Sequence, residues 1–240
     1  MRYESELAYP DARVAIQSEA SERAAFIRRT YAHLAGAILA FAGLEALLLQ
    51  FVTPEQVFGL FGHSPFSLLF LMIAFIGASW LAQSWARSDT SRAIQYLGLG
   101  LYVVVQAVII LPLLYFANDR YPDTIVTAGI LTLCMFGGLT VAVFITRKDY
   151  SFLGPVLSIA SFLALGLIIV ACIPSLGLGG LGTWFSFAMI ALASGYILYQ
   201  TSNILYHYRT DQHVAAALGL FSSVAMLFFW ILRVLVASRR

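Results

Sequence analysis

Long apolar runs separated by short polar breaks organise the whole chain. Reading from one break to the next gives seven runs, at 30–52, 65–86, 93–117, 124–146, 151–173, 182–206 and 212–236. None alternates strictly between apolar and polar residues, so the pattern predicts helices rather than strands. A helix of ~20 residues rises about 30 Å, the thickness of a bilayer's hydrocarbon layer. The breaks, among them "TPEQVFGLFGHS", "RSDTSR", "NDRYPD", "RKDY" and "HYRTD", leave no room for a soluble domain and force neighbouring helices antiparallel. The expected architecture is an all-α integral membrane protein, a bundle of seven transmembrane helices over residues 26–238, preceded by a polar segment at 1–25.

Composition agrees: 60% of the residues are hydrophobic, 11% are charged and the mean hydropathy is +0.85, a balance that excludes a water-soluble domain of this size. Residues 1–25 mix acids, bases and alanines and do not read as a cleavable signal peptide, so the first apolar run is expected to act as an uncleaved anchor. The formal charge of +2 says little; the distribution of Lys and Arg says more. Arg2, Arg13, Arg23, Arg28, Arg29, Arg87, Arg92, Arg147, Lys148 and Arg209 fall on one side of the seven-span layout, against Arg120, Arg233, Arg239 and Arg240 on the other. Basic residues favour the cytosolic side, so the amino terminus is predicted to be cytosolic and the carboxyl end to lie opposite. The closing "SRR" opposes that weakly, and a last run that re-entered without crossing would reverse it.

Arg147, Lys148 and Asp149 sit side by side in "TRKDYSFLGPVL" between two apolar runs. Physically this is a positive-inside clasp on a helical hairpin, with the basic pair at the lipid surface and Asp149 or Ser151 capping the next helix. The same stretch resembles the link between two spans in the Bax inhibitor family, also called TMBIM or lifeguard, which has many small bacterial members. Other pieces resemble that family in order: "FIRRTYAHLAGAILAF", "YVVVQAVIILPLL", "GYILYQTSN" and "DQHVAAALGLFSSVAMLFFWILRVL". The resemblance implies a seven-helix bundle with the last helix at its centre, in a bacterial inner membrane. It also implies calcium-leak activity, or regulation of cell death or of membrane proteases.

Leak members of the family use two facing aspartates on the sixth and seventh spans. Here the matching positions hold Gln200 and Ser223, and Gln106 stands in the third span where relatives often have glutamate. Neither an amide nor a hydroxyl titrates near neutral pH, so a pH-switched calcium site of the usual kind is not expected. Two functions remain open. One is a cation (calcium) leak along an interior path; the alternative is a non-conducting regulator that binds a membrane protease or another membrane complex.

Glu45 is the one acid inside an apolar run, too deep for its side chain to reach water easily. It reads as a protonatable or cation-binding group on an interior path, as a protonated carboxyl bonded to a neighbouring helix, or as a side chain snorkelling outward. Gln200, Asn203 and His207, at spacings of three and four, share a helix face expected to point inward against Ser222 and Ser223, as interhelical glue or as part of a path. His33, His207 and His213 are expected near the cytosolic rim, where they could sense pH, and Asp211 is expected to cap the seventh helix. Gly36, Ala40, Gly98, Gly137 and Gly138 allow close helix contacts, and Cys134 and Cys172 read as small packing residues. The "GLGGLG" of 177–182 follows an apolar helix rather than a strand, so it is a turn and not a dinucleotide fingerprint. The three histidines lack the carboxylates that would orient them around zinc. No resident cofactor, enzymatic chemistry or nucleic-acid partner is expected beyond a possible calcium ion.

Overall fold

The computed structural model describes residues 14–62, 65–87, 91–171 and 181–239; Arg2, Arg13, Cys172, the glycines of 177–180 and Arg240 lie outside them. The described residues form a short 3-10 turn, Ala15–Gln17, and eight α-helices. These are α1 (Ala20–Phe51), α2 (Pro54–Gly62), α3 (Pro65–Ala86), α4 (Arg92–Arg120), α5 (Pro122–Thr146), α6 (Leu153–Ala171), α7 (Thr183–Tyr206) and α8 (His213–Ser238). Among the described residues, α1, α4, α5, α6 and α8 are long and apolar enough to cross a membrane. α3 and α7 are of similar length, with 22 and 24 residues, and α7 is diluted by Ser186, Ser194, Gln200, Thr201, Ser202 and Asn203.

Two elements depart from the apolar pattern. α1 starts at Ala20, well before its apolar run, because "SERAAFIRR" continues the helix without a break. Its 32 residues rise about 48 Å, so its first turns, with Glu22, Arg23, Arg28 and Arg29, extend beyond the hydrocarbon thickness. α2 occupies what the sequence offered only as a polar break. Thr53 and Gln56 make a reciprocal capping box: the Gln56 N–H donates to Thr53 Oγ1 at 3.4 Å and the Thr53 N–H to Gln56 Oε1 at 2.9 Å.

α8 is the helix the others enclose. Every residue from His213 to Phe221 is buried, and contacts run to α1, α3, α4, α5 and α7. A helix apolar around its circumference needs such a lining to bury all its faces. α1, α4 and α8 run parallel, matched at three levels. His33 stacks with Tyr96 and lies 5.0 Å from His213, ring to ring. Next, Phe41 and Tyr102 both meet Phe221 edge-on at 5.9 and 6.1 Å. Beyond them the Tyr115 hydroxyl reaches the carbonyls of Leu48 and Val52, and the Tyr121 hydroxyl donates to the Arg239 carbonyl at 3.1 Å. α8 therefore runs the full depth of the bundle, from the end rich in Arg and Lys to the opposite end, and does not turn back. α7 runs antiparallel to α8, and α6 packs against α7 through Ser161 and Tyr196, whose hydroxyls lie 2.9 Å apart.

Gly98 permits the tightest approach. A Cβ there would lie 2.6 Å from the Ala82 carbonyl oxygen and 2.7 Å from the Ala86 nitrogen, so α3 and α4 touch backbone to backbone. Gly36, Gly137 and Gly138 face open space instead. Cys134 is exposed on the outer side of α5 rather than packed inside.

Candidate functional site

The polar residues singled out in the sequence divide between two faces of α8. Gln200, on α7, lies against Gly219, where an added Cβ would come within 3.0 Å of the amide carbon and oxygen. Ser223, one turn beyond Gly219 on the same face, is buried and donates its hydroxyl to the Gly219 carbonyl at 3.0 Å. Ser222 donates to the same carbonyl at 2.8 Å. The Tyr208 hydroxyl reaches Gln200 Oε1 at 3.5 Å, the limit of a hydrogen bond. Gln200 and Ser223 thus share one short stretch of the α7–α8 seam, and Ser223 is turned back onto its own helix.

Glu45 and Gln106 belong to the other face. Phe41 and Tyr102 flank Phe221, and Glu45 and Gln106 each follow four residues later on parallel helices, which sets them at one level near Ala225. Both are buried, Glu45 in the stripe Phe26, Thr30, Leu34, Ala37, Phe41 and Glu45 by which α1 packs inward. Glu45 is 5% exposed, and neither carboxylate oxygen has a hydrogen-bond partner among the described residues. Residues 221 and 225 lie about 120–160° around α8 from 219 and 223. The bulk of α8 therefore stands between Glu45 and the Gln200–Ser223 pair.

The stripe predicted on α7 also splits. Gln200 faces α8, whereas His207, the residue after α7, is exposed with Nε2 3.8 Å from Asp149 Oδ2. Asn203 is half-buried between them, and its carbonyl accepts the N–H groups of His207 at 2.8 Å and Tyr208 at 2.9 Å, closing the helix. At the clasp, α5 ends on Arg147, whose φ of 49° is the left-handed conformation of many helix C-caps. Lys148 is exposed beside it. Asp149 Oδ1 accepts the Ser151 N–H at 2.9 Å and the Ser202 hydroxyl at 3.2 Å. The Tyr150 N–H donates to Ser202 Oγ at 2.8 Å, and the Tyr206 hydroxyl donates to the Arg147 carbonyl. Asp149 therefore caps the turn and ties it to α7, while the helix itself starts later, at Leu153. The Ser151 N–H, with help from His207 and Ser202, holds the Asp149 carboxyl below its ordinary range.

A further expectation changes. Asp211 does not cap α8; it forms a two-pronged pair with Arg209, at 2.6 and 3.2 Å, because Gln212 occupies the position before the helix. His213, at the first position of α8 and level with His33, is buried against that ring, whereas His207 is exposed. His33 Nδ1 lies 2.6 Å from the Arg29 carbonyl, which can only accept, so the proton sits there and Nε2 faces the Tyr96 hydroxyl at 3.0 Å.

Sequence reading missed a hydroxyl cluster and an arginine. Tyr31, on α1, has Thr140 of α5 and Thr201 of α7 as its hydroxyl neighbours; the three hydroxyl oxygens are buried and have no full hydrogen bond among the described residues. Nothing in their spacing announces that meeting, which depends on three helices. Arg233 was countable only as one of the basic residues near the carboxyl end, yet it lies within α8 and lines a cavity of about 490 Å³. Its place inside the run 212–236 was the available signal.

The geometry is that of a polytopic helical membrane protein whose few buried polar groups are turned against an enclosed helix. Residues 23–240 match the family described as "Inhibitor of apoptosis-promoting Bax1", and the chain belongs to this Bax inhibitor-1 family. It is 28% identical over 223 residues to an uncharacterized protein of Pseudomonas aeruginosa, covering 90% of this chain and 91% of that one. It is 27% identical to a BI1-like protein of Arabidopsis thaliana, over 88% of this chain and 79% of that one. Protein LIFEGUARD 4 of the same plant is also 27% identical, with 89% and 85% covered.

Proposed function

We propose that this chain is a non-conducting member of its family, which acts by binding a membrane protease or another membrane complex. Gln200 and Ser223 carry this conclusion. They stand where leak members of the family would hold titrating aspartates, and they are engaged in α7–α8 packing, with the Ser223 hydroxyl on the Gly219 carbonyl. Seven crossings, by α1 and α3 to α8, fit the family, since the nine residues of α2 rise only about 14 Å. The gathering of Arg28, Arg29, Arg92, Arg147, Lys148 and Arg209 at one end supports a cytosolic amino terminus in a bacterial inner membrane.

Calcium flux into proteoliposomes, measured between pH 5 and 8, tests this. Flux equal to that of empty liposomes is expected, and flux above that background overturns the proposal. A second reading, a cation path beside Glu45, is favoured by its two unpartnered oxygens. On that reading a flux exists and Glu45→Gln abolishes it.

A further inference from the structure

We propose that the cavity lined by Arg233 binds the anionic headgroup of a phospholipid from the leaflet at that end of the bundle. The cavity lies between α4, α7 and α8, and its volume of about 490 Å³ is in the ~300–1,000 Å³ range of ligand sites. Pro112, Phe116, Phe229 and Val236 give it apolar walls, while Thr183, Ser186 and Arg233 bring polar groups to it.

Arg233 is the one charged side chain among the described lining residues. One of its terminal nitrogens donates to the Leu181 carbonyl at 2.7 Å, and the guanidinium lies over the Trp230 ring at 5.0 Å. No carboxylate among the described residues pairs with it. A guanidinium has five N–H donors, so one carbonyl leaves most of them available to an oxyanion, and phosphate suits its fork-like geometry. Gly182 and Thr183, where α7 begins, border the same cavity, and no side chain caps that helix. The positive end of the α7 dipole therefore adds to the charge of Arg233.

Depth favours a lipid. Arg233 precedes the last residue of α8 by five positions, about 8 Å along the axis, which is where headgroups meet hydrocarbon. Snorkelling alone would explain an arginine near a helix end. It would not explain an arginine that is held by the Leu181 carbonyl and also opens on a cavity with apolar walls. Basic pockets between transmembrane helices hold phospholipid headgroups on the cytoplasmic or matrix side of membranes, and the same chemistry is available to the opposite leaflet here. The inference is independent of whether the chain conducts ions.

Thermal unfolding and native mass spectrometry of the full chain, titrated with phosphatidylglycerol or phosphatidylcholine, provide the test. Phosphatidylglycerol is expected to bind and to raise the unfolding temperature more than phosphatidylcholine does. Arg233→Gln is expected to weaken the phosphatidylglycerol effect about tenfold, whereas Arg120→Gln, at an exposed arginine of the same end, leaves it intact. Thr183→Trp, at an exposed lining position, keeps the charge but blocks the cavity, and should abolish the effect even if Arg233→Gln fails to fold. Equal effects of the two lipids, or a phosphatidylglycerol effect that survives both Arg233→Gln and Thr183→Trp, would overturn the proposal. Glycerol phosphate giving the same shift would also overturn it, since a free anion would then suffice.

Discussion

Gly98→Ala probes the close contact between α3 and α4. The new methyl carbon would sit 2.6 Å from the Ala82 oxygen and 2.7 Å from the Ala86 nitrogen, about 0.8 Å inside the 3.4 Å of ordinary contact. Both obstacles are backbone atoms of α3, so no side-chain rotation relieves them and the two helices must separate. Overpacking of this kind costs about 1–3 kcal/mol, and here the upper half applies. Replacing glycine inside a helix returns at most about 1 kcal/mol, leaving a net loss near 2 kcal/mol. For a chain of this length that lowers the unfolding temperature by about 4–8 °C. Gly100→Ala, two residues along α4 with nothing within 4 Å, is the control and should be neutral or up to about 1 kcal/mol more stable. Thermal unfolding of both variants in one detergent, read by tryptophan fluorescence and by size-exclusion recovery, gives the comparison. A Gly98→Ala protein as stable as Gly100→Ala would refute the close α3–α4 approach.

Three further outcomes follow from the same geometry. Phe221→Ala should cost about 3–5 kcal/mol, because the ring is 1% exposed and fills the space between Phe41 and Tyr102; a loss under about 1 kcal/mol in detergent unfolding would contradict that packing. Asp149→Ala removes the acceptor for Ser151 and Ser202 and should cost about 1 kcal/mol, a modest figure because the side chain is 46% exposed and its charge is screened. The folded carboxyl titrates below its ordinary 3.8, so this contribution is present above that value and lost as pH falls through the lower folded one; a gap between variant and wild type that does not shrink as the pH is lowered from 3.8 would exclude an ionic contribution. Tyr115→Phe frees the Leu48 and Val52 carbonyls and should lower stability by about 1 kcal/mol, with faster hydrogen exchange at the end of α1 as the local readout.

Helices were legible wherever an apolar run was long, since lipid leaves the backbone no other open-chain solution. The α2 segment was legible too, but only through chemistry that a hydropathy reading passes over: threonine, proline at the first helical position, and glutamine three residues after the threonine. The start of α1 was hidden because its first turns are polar, and apolar periodicity cannot mark where a helix continues out of lipid. Glu45 stood out as an acid in an apolar run. Its level beside Gln106, and its separation from Gln200 and Ser223, depend on the rotation of α8, which one sequence does not fix. Asp211 shows the same limit at short range. Its position before α8 suggested a cap, but Arg209 two residues earlier offered a charged partner, and the pair formed instead. Glycine spacing could not tell Gly98, pressed against α3, from Gly137 and Gly138, which face nothing within 4 Å.

Because translation proceeds from the amino terminus, every helix that surrounds α8 is made before it. Until then Glu45, Gln106 and Gln200 lack the helix beside which they are buried or packed in the complete bundle, and polar groups left facing lipid are costly. A chain cut after Gln212 therefore lacks the helix that the others enclose. The half-life of such a product in cells, set against that of the full chain, measures how much of the bundle's stability depends on α8.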